Sequence, residues 1–183
     1  MVAVTLCLLA GAGLVLLSAG RPWARAVLRQ APLPTMAVTA SGRTLAPVAA
    51  ALGLVGLAGI VAVLATRGIG RMVTGVLLAL AGAGVVAASV RVGLDLPRVV
   101  RPVAEQLSGV PGATTDDVRA TGWLWLSVLG GGLLSGAGLL TAARGRRWSA
   151  LSARYDAPGA DRPPPAEPPE IWDALDRGED PTR

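Results

Sequence analysis

Four stretches of the chain, residues 1–19, 45–66, 72–90 and 123–143, contain no charged side chain. No other feature restricts the fold as strongly. At 1.5 Å rise per residue, a helix over each spans roughly 28 to 33 Å, matching a bilayer hydrocarbon core of about 30 Å. Inside lipid every backbone N–H and C=O must be paired within its own segment, so each run must be helical. A soluble bundle of four buried helices would need polar stripes at helical spacing, and these runs carry none. The expectation is an all-α membrane protein. It has a four-helix transmembrane bundle over 1–143 in a lipid bilayer, a small extracytoplasmic hairpin and loop region, and a tail over 144–183.

Composition removes most enzyme classes. All 17 basic residues are Arg, there is no His, and there is one Cys. A His triad, a His/Cys zinc cluster, a Walker lysine and a Schiff-base lysine are therefore excluded. Asp116, Asp117, Asp173 and Asp176 are carboxylates without a recognisable base, nucleophile or metal set beside them. The chain is expected to be non-catalytic, with no cofactor and no metal. Its net charge of +5 does not point to nucleic acid, because the arginines bracket the apolar runs instead of forming one patch.

The first run ends in Ser18, Ala19 and Gly20, small residues of the kind found at a signal-peptide cleavage site. It lacks a basic leader and exceeds the usual apolar length of about 7 to 15 residues, which favours a retained helix. Cys7 is read as a small apolar residue facing lipid or a neighbouring helix. Arginines near the span ends number seven on the side of the termini and eight on the other. Density decides orientation: Arg67 and Arg71 bound a short hairpin and Arg144, Arg146 and Arg147 stop the fourth run, whereas the other eight are spread over long loops. Both termini are placed in the cytoplasm of a plasma (inner) membrane protein. Trp23 and Trp123 then fall at the outer interface and Trp148 at the inner one, as an aromatic belt.

Small residues supply the packing candidates: Gly53, Gly56 and Gly59; Ala79, Ala83 and Ala87; and the GxxxG pair Gly132 and Gly136. The Gly82–Ala87 stretch fits the loose dinucleotide pattern GxGxxA, but no strand and turn precede it. Gly130, Gly131 and Gly132 could mark an unwound point of the kind transporters use, although no second broken helix matches it. In the loops, 35–40 and 43–45 read as a hairpin about a Ser41-Gly42 turn. Residues 99–108 read as a short helix ending at Gly109, and Thr115 to Asp117 as the cap of a further turn.

Beyond the fourth run, residues 144–155 carry four Arg and no acid, while 156–183 carry eight acids and three Arg. A basic collar suited to an anionic inner leaflet thus precedes an acidic tail whose prolines, 163–169, make a disordered spacer. The segment after it places Ile171, Trp172 and Leu175 on one helical face with acids opposite. A lone amphipathic turn is marginal in water, so it is expected to dock, either on its own bundle near Arg67 and Arg71 or on a protein partner.

Six elements together carry a family resemblance: 19–23 (Ala-Gly-Arg-Pro-Trp), 42–47, 65–68 (Ala-Thr-Arg-Gly), 145–148 (Gly-Arg-Arg-Trp), Arg154-Tyr155-Asp156, and 171–182 with Trp172 and Asp180. The chain resembles, nearly end to end, the actinobacterial tryptophan-associated transmembrane protein family. The resemblance implies a four-helix membrane protein whose genes lie among those of tryptophan biosynthesis. It also implies a start upstream of Met1, since the family's basic leader is missing here. Two functions follow as expectations. One is a non-catalytic accessory or interaction protein, contacting partners through Trp23, Arg67, Arg71 and the tail. The other is a transporter or transport subunit for tryptophan or another aromatic metabolite, working as a homo-oligomer built through the small-residue faces.

Overall fold

The structure, a computed structural model, describes residues 2–30, 33–109 and 114–144. Four helices are long and apolar enough to cross a membrane: α1 (Val2–Ala19), α3 (Pro47–Ala65), α4 (Gly68–Leu94) and α6 (Gly122–Arg144). Strands β1 (Pro22–Gln30) and β2 (Leu33–Ser41) and the short helix α2 (Gly42–Leu45) join α1 to α3. Helix α5 (Leu96–Ser108) and strand β3 (Thr114–Ala120) join α4 to α6. Four passes bring Val2 and Arg144 to the same end, and the strands and α5 form a cap at the other.

The spanning helices are apolar all round, so a polar stripe cannot select which face turns inward. Residue size selects it instead. On α4 the buried positions Arg71, Gly75, Leu78, Gly82, Val85, Ser89 and Val92 are spaced alternately by four and three, the seven-residue repeat of a left-handed packed pair. On α6, Leu124, Ser127, Gly131, Leu134, Gly138 and Thr141 repeat the spacing in the antiparallel direction. A methyl added to Gly82 would lie 2.4 Å from the Ser135 nitrogen, and one on Gly138 would lie 2.5 Å from the Ala79 nitrogen. The two backbones therefore touch, and dispersion over this seam replaces the hydrophobic drive that lipid cannot supply. Across it the buried Ser89 hydroxyl donates to the Ser127 hydroxyl (3.1 Å), and the Ser135 hydroxyl donates to the Ala79 carbonyl (3.0 Å).

Helix α1 meets the neighbouring face of α6 in the same way, with Gly11 against the Gly130 carbonyl and the Leu134 nitrogen, each 2.9 Å from where a Cβ would sit. Helix α3 is held more loosely, by side chains. Gly53 receives Val15, Gly56 receives Leu134 and Gly59 receives Leu78.

Several expectations are corrected here. The GxxxG pair does not pack this bundle: Gly132 and Gly136 are exposed, and a Cβ on either meets nothing within 4 Å. Ala83 and Ala87 also face outward, while Ala79 lies in the seam. The Gly130–Gly132 run is not unwound, because α6 continues through it with Gly130 and Gly131 pressed onto α1 and α4. Helix α4 begins earlier and ends later than the uncharged run. Only Thr66 and Arg67 separate it from α3, a tight reversal completed by Gly68 at φ +53°. Arg71 is therefore inside α4 and not in a hairpin.

The cap also departs from expectation. In place of a hairpin about Ser41-Gly42, the structure has a three-stranded antiparallel sheet ordered β2-β1-β3, in which Ser41 ends β2 and Gly42 starts α2. Thr115 to Asp117 lie in β3 and do not cap a helical turn. Helix α5 starts three residues before the predicted 99 and ends at Gly109, left-handed at φ +67°. Its Leu96, Val100 and Ala104 are buried. Leu96 and Val100 share one apolar cluster with Ala24, Ala26 and Ala40 from the inner face of the sheet and with Val92 and Leu124 from the bundle.

Candidate functional site

Trp23 joins cap and bundle. It is fully buried, its indole Nε1 donates to the Ser18 carbonyl at the end of α1 (2.8 Å), and its ring lies where a Gly42 side chain would have to be. An aromatic-belt place is thus corrected for Trp23: a ring with its N–H satisfied inside the protein gains more from packing than from the interface. Burial also removes it from contact with any partner. Trp123 and Trp125 remain exposed. Around Trp23 the backbone closes further, since the Gly42 N–H donates to the Arg21 carbonyl (3.1 Å) and the Thr121 N–H to the Trp23 carbonyl (2.8 Å). The Thr121 hydroxyl donates to the carbonyl of Pro22.

With Ala24 and Ala26 turned into the core, the pleat sends Arg25 and Val27 to the other face of the sheet. Arg25 stands directly opposite Thr39 on β2 and Arg119 on β3. Two like charges face each other across a strand pair, an arrangement that is unfavourable by itself. The register between β1 and β3 shifts after Arg25, and Asp117, at φ +51°, accepts from the Arg119 guanidinium at 2.6 Å. This face, with Thr121, Gly122, Trp123 and Leu126 at the start of α6, encloses an open groove of about 790 Å³. At its membrane end the Arg21 guanidinium lies 5.2 Å from the Trp123 ring centroid, within cation–π range. Among the described residues, Arg25 has no ion-pair partner. The site offers guanidinium donors, one carboxylate that offsets part of their charge, and an apolar floor, which suits an anion attached to something apolar.

The residues expected to meet partners fall elsewhere. Arg67 is exposed at the start of α4. Arg71 is 2% exposed and takes the first seam position on α4. One turn along α4, Gly75 abuts Ala142, so Arg71 sits by the C-terminal end of α6, where the last carbonyls favour a cation. Tyr155, Asp156, Ile171, Trp172, Leu175 and Asp180 lie outside the described residues. The residue-type reading missed Arg25 and Arg119 because their signal is the strand register, and β3 has little strand propensity.

A spanning bundle welded at glycine seams, with a small sheet-and-helix cap at one end, defines a compact multi-pass transmembrane protein. The family model for the tryptophan-associated transmembrane protein matches residues 5–182, and the chain belongs to that family. No curated protein matches it.

Proposed function

We propose that the chain is a non-catalytic accessory protein of the plasma membrane, with both termini in the cytoplasm and the cap outside. Its bundle is a scaffold that holds two binding elements, the cap and the acidic tail, on opposite sides of the bilayer. The observation that carries this reading is the backbone contact between α4 and α6 and between α1 and α6. Helices locked at that distance suit a fixed support. A conduit for an aromatic metabolite needs helices that part, which would break the Ser89–Ser127 and Ser135–Ala79 bonds. Arginine density at Arg67, Arg71 and Arg144 supports the orientation. The absence of His and Lys from the chain supports a non-catalytic role.

The test compares tagged full-length protein with a chain ending at Pro169 after gentle detergent extraction, with recovered proteins identified by mass spectrometry. The expected result is a reproducible partner lost on truncation, together with tryptophan and indole fluxes that do not change when the gene is deleted. Recovery of no partner, with a flux that falls on deletion, would replace the scaffold by the transport reading.

A further inference from the structure

The geometry points to the cap groove as a binding site for one anionic lipid of the cap-side leaflet, its phosphate held by Arg25 and Arg119 and its acyl chain laid along α6. The charge is the first reason. Arg25 and Arg119 line the groove with one carboxylate, Asp117, among its described residues, and the register sets Arg25 directly opposite Arg119. An anion seated there relieves that repulsion and accepts charge-assisted hydrogen bonds.

The depth is the second reason. Arg21 follows the end of α1 by two residues and covers Trp123, the second residue of α6. The basic end of the groove therefore lies at the level where lipid headgroups meet the protein, and Trp and Arg are residues suited to that level. A soluble anion would need no such depth.

The third reason is what continues below. Leu126 closes the groove, and two turns further Leu133 shares its α6 face. Between them Leu129, and then Leu133 itself, are exposed, an apolar strip in the cap-side half of α6 on which an acyl chain can lie. A headgroup site and an apolar strip thus follow one another down a single helix face, as a two-part ligand with an anionic head and an apolar tail requires.

The experiment uses the full chain purified in a neutral detergent, with long-chain phosphatidylglycerol or phosphatidylcholine added, and counts bound lipid by native mass spectrometry. Phosphatidylglycerol is expected to be retained preferentially. Arg25→Gln with Arg119→Gln should cut that preference about thirtyfold, at about 1 kcal/mol for each arginine near the surface. Arg25→Lys with Arg119→Lys should restore most of it. Arg43→Gln removes one charge on the same side, outside the groove, and should change it less than twofold. Leu129→Ser with Leu133→Ser makes the strip polar and should reduce retention of long-chain but not of dibutyryl phosphatidylglycerol. The assignment is overturned if the double Gln variant, melting like wild type, keeps its preference, or if Arg43→Gln loses as much. It is also overturned if millimolar glycerol phosphate or an acidic peptide displaces the lipid completely, since a soluble anion would then be the better occupant.

Discussion

Replacing Gly82 by alanine adds one methyl group at the tightest point of the α4–α6 seam. Its Cβ would lie 2.4 Å from the Ser135 nitrogen and 2.6 Å from the Gly131 carbonyl oxygen. Both are backbone atoms of a continuous helix, so no side chain can rotate away. Reaching an ordinary contact of 3.4 Å requires the helices to part by about 1 Å. Overpacking of this kind costs about 1 to 3 kcal/mol. The bond from the Ser135 hydroxyl to the Ala79 carbonyl is stretched as well, and an interhelical bond in a membrane is worth about 0.6 kcal/mol. The expected destabilisation is therefore about 2 to 4 kcal/mol. Gly132→Ala is the matched comparison, because it makes the same chemical change on α6, the partner helix of the seam, with nothing within 4 Å of the new methyl. It should be neutral or slightly stabilising, since alanine favours a helix over glycine by up to about 1 kcal/mol. Reversible unfolding by SDS in mixed micelles, followed by tryptophan fluorescence, measures both. The seam account fails if Gly132→Ala costs as much as Gly82→Ala, or if Gly82→Ala costs less than about 0.5 kcal/mol.

Other outcomes are equally specific. Trp23→Phe keeps most of the ring but removes one of the two donors to the Ser18 carbonyl, leaving the Arg21 N–H, so the same unfolding assay should show a loss of about 1 kcal/mol. Gly42→Ala should cost more than Trp23→Phe, because its methyl would overlap the indole ring. A double-mutant cycle of Ser89→Ala and Ser127→Ala should return a coupling of about 0.6 kcal/mol, and a value near zero would mean the bond is not formed in the membrane. In a Cys7→Ser background, Arg98→Cys on the exposed face of α5 should react with an impermeant maleimide added to intact cells. Labelling only after lysis would invert the orientation.

The four spans could be read directly, because charge is costly in lipid and length is set by bilayer thickness; these two constraints do not depend on a partner. Which faces meet could not be read from the GxxxG spelling, since Gly132 and Gly136 satisfy the motif and face outward. The better signal was the seven-residue recurrence of Gly75, Gly82 and Ser89 on one helix and of Leu124, Gly131 and Gly138 on the other. Arg71 belongs to the second series of the same repeat, with Leu78, Val85 and Val92, which is why it lies in the seam although its charge suggested a loop. The sheet was harder to foresee. Strand β3 contains Thr114-Thr115-Asp116-Asp117, residues with little preference for extended structure except Thr, and it forms by pairing with β1 far away in sequence. The groove inherits that difficulty: Arg25 and Arg119 become neighbours only through the pairing.

The central strand of the cap is made early and its second neighbour late. Thr121 and Pro22, which bond to each other, are 99 residues apart. Two further membrane passes, α3 and α4, must be synthesised and inserted between them. Until then β1 has one edge uncovered, and an uncovered strand edge invites pairing with another chain. Biogenesis of this protein thus has a vulnerable interval that ends only as the last helix enters the bilayer. A truncated or stalled product would be expected to aggregate on the cap side and to be removed by whichever proteases work there.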